Sequence, residues 1–488
     1  MKLKQKSKKS PHPAWALKHR GPGMELRNIN GRYYLYAVSS VYDPELKRPK
    51  KITGKILGKI TKEDGFIESD KGKLRQSAQK GFDAATLSIK EYGFTSFLHS
   101  QCDELNVSLQ KHFPQHWQAI MILAYNRLVH HSCIKNMPFN YSKSFLSEMY
   151  PMALSDKIIS GLLRQLGQNR EQLTGYMQSF IRPNDYVLVD MTNLFSSSTH
   201  IAIAKEGYNS DLIFDKQFNI LYIYSPSLKL PVFYRLYAGN VREVKGFKLC
   251  LKESAIENAV VVCDKGFYSK SNLELLEDNG LKYIMPLRRD NLLIEYNRLG
   301  KQGRNYFKHE GRYIWHCDYI KDKKNVFLFM DDNLKLLEEK DYLNRIESHP
   351  EEYTIENFHK FKDRFGTMAV ITNTEESDPQ KMYSTYKSRN SIEIMFDGMK
   401  NILDNDKTYM QNEDALNGWM FINHIALQWY YKLYSQLNES NQIKKYSVND
   451  LIIQLRDIRK ARINGQWHLE PITAGTEKIL GKVGIHIT

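Results

Sequence analysis

The sequence predicts a multidomain α+β chain built around a mixed α/β sheet, and three observations predict it. Between Pro183 and residue 287, short apolar runs alternate with helical segments in the order β-β-β-α-β-α-β, which suits antiparallel strands followed by crossover connections. Residues 76–180 repeat apolar side chains at three- and four-residue spacing, the signature of packed helices. Residues 1–75 are basic and rich in strand formers.

Taken in order, residues 1–23 are Lys-, Pro- and Gly-rich without an acid and read as a flexible basic arm. Arg32–Val38 and a Lys-studded run ending at Ile60, separated by the Asp43-Pro44 turn, complete a small basic β module over 1–75. Residues 76–180 form a helical domain, with Trp117–Tyr125 and Ile158–Arg164 as its clearest helices and Ser155-Asp156 as a cap for the second. This domain is expected to bind DNA; helix-turn-helix reading and a plain bundle are both open. Residues 181–287 hold the first part of the central sheet: Tyr186–Asp190, Phe218–Tyr224 and Leu230–Tyr237 as strands, a helix near Lys245–Asn258, the strand Ala259–Asp264, a helix near 270–279 and the strand Lys282–Pro286. Residues 288–375 are too long for a loop and read as an inserted, β-rich subdomain. Residues 376–440 return to the core with a long helix over about 379–403 and an aromatic-rich one over about 412–437. Residues 441–488 form a helical tail, amphipathic over about 447–462.

Composition bounds the function. The 488 residues are 42% hydrophobic and 12% aromatic, enough for sizeable cores and too apolar for a disordered chain. Lys and Arg number 70 against 55 acids, a formal charge of +15. Residues 1–75 hold 19 of those cations and seven acids, so twelve of the fifteen net charges lie there. Such an excess favours a polyanion, nucleic acid before an anionic membrane. No stretch approaches the roughly 18 uncharged apolar residues of a spanning helix, so no membrane partner is expected. The basic N-terminus lacks an apolar segment behind it and does not read as a secretory signal. Five cysteines, widely spaced and never CxxC, fit reduced thiols in a cytosolic protein better than a disulfide framework or a zinc finger.

Chemistry concentrates in three places. Asp190 and Asp264 each end an apolar strand, and open α/β sheets gather ligand and catalytic groups at such ends. The third place is Tyr386–Lys400. On a continuous helix at about 100° per residue, Tyr386, Arg389, Glu393 and Lys400 fall at about 0°, 300°, 340° and 320°, one narrow stripe. Ile392, Met395, Phe396, Met399, Ile402 and Leu403 fill the adjoining arc that would pack on the sheet. Asp397, at about 20°, competes with Glu393 for the third carboxylate, and an ordinary amphipathic helix with an Arg389–Glu393 pair explains the same pattern. Three carboxylates with no His or Cys near in sequence suit Mg²⁺ or Mn²⁺ rather than zinc. Two such ions would activate a water or 3′-hydroxyl and stabilise the leaving oxygen of a phosphoryl transfer, while Arg389 and Lys400 hold phosphates.

The spacing Tyr386-x2-Arg389-x3-Glu393-x6-Lys400 resembles the YREK signature of bacterial insertion-sequence transposases, which carry a DDE site on a ribonuclease H-like fold. Asp190-Met-Thr192, Gly239-Asn240, Asp264-Lys-Gly-Phe-Tyr268 and the Gly418–Ile422 helix look similar to that family too. The resemblance covers about 180–437 well and the N-terminal module loosely. It implies that Asp190, Asp264 and Glu393 hold two divalent cations, Mg²⁺ or Mn²⁺. It implies that Tyr386, Arg389 and Lys400 engage double-stranded transposon-end DNA, and that the β insertion supplies an aromatic that stabilises a flipped base. Trp315 is the candidate for that role, with a core position as its alternative.

The reading is therefore a DNA transposase that binds terminal inverted repeats and target DNA and works as a DNA-bound homodimer. Its expected location is the bacterial cytoplasm, at the nucleoid. The helices around Trp419–Tyr434 and Leu451–Ile458 are candidate dimer contacts. The rivals are a hydrolytic endonuclease or resolvase with the same triad and a domesticated DNA-binding protein without catalysis. A glycosidase carboxylate pair fits the basic excess poorly.

Overall fold

The computed structural model describes residues 11–43, 47–69, 87–207, 215–241, 243–301, 305–403, 407–463 and 465–487. The first ten residues of the expected arm and the expected boundary near residue 75 lie outside these. The chain divides into two compact units, 1–88 with 462–468 and 89–461 with 469–488.

In the first unit, β1 (Met24–Ile29), β2 (Arg32–Asp43), β3 (Arg48–Thr61) and β4 (Gly65–Glu68) form an antiparallel meander in that order. Alternation sends Leu26, Leu35 and Ile60 to one face, where Ala16 of the short helix Ala14–Leu17 closes a small core. The opposite face is polar. Arg27 donates to Glu25 and to Thr53 and lies 4.9 Å from the Tyr36 ring, and Lys51 pairs with Glu25 at 2.7 Å. β2 and β3 outrun their neighbours: β1 pairs with β2 no further than Ala37, and β4 meets β3 only over Gly58–Thr61.

The second unit is organised by one sheet. Its strands are β5 (Tyr186–Ser196), β6 (Lys216–Ser225), β7 (Leu230–Ala238), β8 (Val260–Cys263), β9 (Lys282–Pro286), β10 (Tyr306–His309), β11 (Arg312–Lys321), β12 (Lys324–Asp331) and β13 (Thr367–Thr372). They lie in the order β7-β6-β5-β8-β9-β13-β12-β11-β10. β5, β8 and β9 are parallel, and the other neighbours are antiparallel. Between strands run α6 (Glu243–Ser254) and α7 (Lys270–Asp278), as the alternation over 183–287 predicts.

Four expectations need correction. β5 does not end at Asp190 but continues to Ser196, because Met191–Phe195 keep pairing with β6; polar Thr192 and Asn193 interrupt the apolar run without interrupting the ladder. The segment 288–375 is neither separate nor mostly β. β13 joins it to β9 in the main sheet, and it carries α8 (Asp332–Ser348) and a helix at Ile355–Phe361. α8 buries no residue and is capped by Asp331, whose carboxylate accepts from the Asn333 and Leu334 amides, so it has no apolar stripe for periodicity to find. The C-terminal tail is not wholly helical: α12 (Val448–Asp457) precedes short strands at Arg459–Ile463 and Gln466–Leu469 and a helix at Ala474–Lys482.

The fourth concerns the helices before the sheet: α1 (Gly93–Gln101), α2 (Asp103–His112), α3 (Trp117–His130), α4 (Asp156–Gln168) and α5 (Arg170–Gln178). They share one hydrophobic core with the sheet instead of forming a separate domain. The reason is α11 (Glu413–Glu439), apolar nearly all round and therefore an interior helix. α4 crosses it at backbone contact: a Cβ on Gly418 would stand 2.0 Å from the Leu163 carbonyl oxygen, and one on Gly167 1.8 Å from that of Asp414. Of the side chains proposed above as dimer contacts, Trp419, Leu451, Ile452 and Leu455 are interior, while Ile453 is exposed.

Candidate functional site

β8 runs parallel to β5 from Val260 opposite Tyr186 to Cys263 opposite Val189. Asp190 and Asp264 are the next residue on each strand, so the two carboxylates start from neighbouring positions roughly 4.8 Å apart in the sheet. Among the described residues the next pairing of β5 on that side is that of Lys407–Thr408 with Phe195 and Ser196. The sheet forks there. Asp190 fills the start of the fork: its Oδ1 accepts from the Met191 amide at 2.8 Å. Register places Asp190 opposite Tyr222, and Tyr222 packs near Phe396 and His424, so this face of the sheet is the one the C-terminal helices cover.

The third carboxylate arrives on a broken helix. α9 (Pro379–Lys387) is capped by Asp378, which accepts from the Gln380 amide. At its end the Ser388 hydroxyl donates back to the Thr385 carbonyl at 2.6 Å. The amides of Arg389, Ser391 and Ile392 bond three residues back, tightening the turn before α10 (Asn390–Asp397) begins. A π turn follows at Gly398–Ile402. The single helix expected over 379–403 is thus three pieces, while its apolar arc holds: Ile392, Met395, Met399 and Leu403 are buried. The break aims Arg389 at the sheet.

Arg389 gathers the acids. Its Nη1 donates to Asp190 Oδ2 at 2.7 Å, its Nη2 stands 3.7 Å from Asp264 Oδ1, and Nη2 also bonds Glu393 Oε1. The guanidinium is 14% exposed, as is Asp190, against 31% for Asp264 and 50% for Glu393. Burial acts to lower the Arg389 pKa, but the charges of Asp190, Asp264 and Glu393 and the nearby Tyr386 overcome it and hold the group above the usual arginine value. Burial pushes the Tyr386 hydroxyl up to about 12, with Arg389 pulling it down and the Asp264 and Glu393 charges adding to the rise. Three carboxylates around one guanidinium leave two negative charges in excess.

Of the residues singled out by sequence, Asp190, Asp264, Glu393, Arg389 and Tyr386 come together. Asp397 does not join them; it accepts from Asn401 at 2.6 Å. Lys400 is half-buried in the π turn and has no acidic partner among the described residues. Trp315 donates its indole N–H to Asp332 at 2.6 Å and stacks near Tyr306. Phe307 and His309 meet Tyr383 of α9, so pairing and alternation put Trp315 and Tyr306 on the face of the hairpin away from α9. Sequence reasoning missed Lys387. Much of its side chain is exposed, yet its ammonium is crowded: burial lowers its pKa, Arg312 and Arg389 add to the fall, and Asp331 and Glu393 oppose it. On an unbroken helix Lys387 is about 100° off the stripe, so only the break could have revealed it. It also missed Arg127. This buried side chain bonds the Leu403 carbonyl and Asn423 and lies 4.7 Å from the Trp419 ring, anchoring the end of the π turn to the core.

Three carboxylates facing one cation are hard oxygen donors that fit Mg²⁺ or Mn²⁺. Among the described residues no three His, Cys, Asp or Glu are grouped to hold an ion as placed; at this centre the guanidinium touches all three acids. No described helix is long and apolar enough to cross a membrane.

Fold and site together define a mixed α/β protein with an acidic centre at the fork of its sheet. Residues 187–429, which span this centre, match the family described as the transposase DDE domain, so the chain carries a transposase DDE domain. No match to a curated protein is found. A cryo-EM structure of the piggyBac transposase synaptic complex with hairpin DNA is similar over 70% of this chain and 69% of that one, with 12% identity and a TM-score of 0.37.

Proposed function

We propose that the chain binds the terminal inverted repeats of an insertion sequence, cuts DNA strands there and joins them to target DNA. The observation that carries this is the convergence of Asp190, Asp264 and Glu393 on Arg389 within a transposase DDE domain. The strand order β7-β6-β5-β8-β9, antiparallel then parallel, supports a ribonuclease H-like core, with 288–375 as the family's insertion. Asp190, Asp264 and Glu393 would hold two divalent cations, which when bound supply a nucleophilic oxygen at neutral pH and stabilise the leaving one. Arg389 offsets one of the three acidic charges in the free chain and can turn to a DNA phosphate once the acids are otherwise neutralised. Tyr386 keeps its proton at neutral pH and can donate to a phosphate oxygen, while Lys400 offers an uncommitted charge. Trp315, with Tyr306 on the same face, is the aromatic surface for a flipped base. The basic module and the helices before the sheet would contribute DNA contacts in a bacterial, nucleoid-associated protein.

Pure protein incubated with duplexes carrying the ends of its own element and Mg²⁺ tests the reading. Strand cleavage followed by joining is expected. Cleavage without joining would replace it with a hydrolytic nuclease, and binding without either with a non-catalytic DNA-binding protein. Cutting both ends calls for two centres, because one triad serves one scissile phosphate at a time. The active species is therefore a DNA-bound dimer matched to inverted ends. Mixed assemblies of wild-type and Glu393→Ala subunits on paired ends should cut one end only; full cleavage of both ends would rule the dimer out.

A further inference from the structure

Beyond the first unit's small core, β2 and β3 continue as a two-stranded ribbon. Residues 38–43 pair with 48–53 and, among the described residues, with no third strand, from Val38 opposite Thr53 to Asp43 opposite Arg48. Six residues at about 3.3 Å make it about 20 Å long. Its two faces differ. One continues the polar face and is tied down by the Arg27–Thr53 and Lys51–Glu25 contacts. The other continues the core face past the end of the core and carries the cross-strand pairs Ser39–Ile52, Val41–Lys50 and Asp43–Arg48. Val41 is 56% exposed and Ile52 45%. A register shift beside Gly54 bends the ribbon, and a Cβ there would sit 2.9 Å from the Ala37 carbonyl oxygen.

We propose that this ribbon enters the major groove of duplex DNA with the Val41–Ile52 face towards the base edges. The inference rests on the DNA-binding part of the function proposed above and names the element that reads the duplex. Two strands about 4.8 Å apart fit a groove about 12 Å wide. Arg48 stands opposite Asp43, while Lys50 and Lys55 have no ion pair among the described residues, so the ribbon keeps an excess of positive charge that complements a polyanion. Arg48 matches the acceptors of guanine, Val41 and Ile52 match thymine methyl groups, and Lys50 and Lys55 reach the flanking phosphates. Pairing with a strand of another protein fits less well, because the outer edge of β3 presents Pro49 and a row of lysines, which block edge-to-edge addition.

The test uses the full chain in EDTA, with a short duplex carrying one end of its own element. Arg48→Ala combined with Lys50→Ala should weaken binding about tenfold or more. Lys50→Ala with Lys55→Ala should flatten the log–log salt slope by about 1.8. Ile52→Ser, which removes no charge, should weaken binding severalfold. Methylating guanine N7, which lines the major groove, should inhibit the wild type and leave the residual binding of the Arg48→Ala/Lys50→Ala protein unchanged. Unchanged affinity in these variants, or inhibition by a minor-groove drug in place of N7 methylation, overturns the inference. A change in the DNA-free sedimentation of the variants does so too, making the ribbon a contact between subunits. Because no metal is present, failure of the catalytic reading leaves these results standing, and failure here leaves cleavage to be judged separately.

Discussion

At the fork of the large sheet one guanidinium is shared by three carboxylates, whereas on the β2–β3 ribbon Lys50 and Lys55 have no ion pair among the described residues and Arg48 stands opposite Asp43. Both regions are densely charged. In the first, the acids share a cation within the fold, and removing that cation leaves them repelling at partly buried positions. In the second, like charges on one strand repel until something outside neutralises them. A closed cluster marks where the molecule organises itself, and an open one marks where it waits for a partner.

The largest expected effect breaks the closed cluster. Asp190→Ala, Asp264→Ala and Glu393→Ala should each lower Mg²⁺-dependent cleavage of the element's ends by about a thousandfold or more, the scale of losing a group that stabilises transition-state charge. Filter binding to the same DNA should hardly change, since the ribbon is untouched. Normal cleavage by Glu393→Ala with loss in Asp397→Ala would show that the wrong carboxylate was chosen.

The interior beside the cluster should resist charge altogether. His424 is fully buried, stacks on Tyr222, packs tilted against Tyr234, and has no hydrogen-bond partner on either ring nitrogen among the described residues. Burial, helped by Arg170, lowers its pKa to about 3. In the unfolded chain it titrates near 6.5, so between about 6.5 and 3 the unfolded state binds the extra proton and stability falls as pH falls. The slope from this group approaches about 1.4 kcal/mol per pH unit inside that window. Thermal melting from pH 7 to 4.5 should therefore steepen its decline below pH 6.5, and His424→Phe should remove that component. An equal decline in both proteins would mean the ring is not kept neutral.

A smaller effect separates the two regions directly. Arg389→Ala should lower the metal-free melting temperature by a few degrees, about 1–2 kcal/mol once the exposure of Asp264 and Glu393 is discounted. Mn²⁺ should raise the melting temperature of that variant more than that of the wild type. Arg48→Ala should leave melting unchanged in either condition. Equal behaviour of the two arginine variants would erase the distinction between closed and open charge.

Strand order over 183–287, the Ser155 cap of α4 and the buried arc from Ile392 to Leu403 were legible because apolar spacing and capping are local signals. Asp190 and Asp264 were legible as a pair because each follows an apolar run. What escaped was set by tertiary contact. α8 has no apolar face to betray it. The break at Ser388–Arg389 depends on a side-chain bond to Thr385 that no periodicity encodes, and it moves Lys387 towards Glu393 and Arg389. The sharing of one core by α3, α4 and the sheet hinges on two glycines at a helix crossing, which in sequence look like any others.

The fork at Asp190 has a mechanical consequence. Where a ladder is continuous, separating two strands breaks hydrogen bonds; where it divides, the arms can splay without that loss. β8 stops at Cys263, and among the described residues the next partner of β5 on that side begins at Phe195. Asp264 rides on one arm, Asp190 on the stem. Asp264 lies past the last β8–β5 pair, so a small change in its distance from Asp190 breaks none of the described ladder bonds.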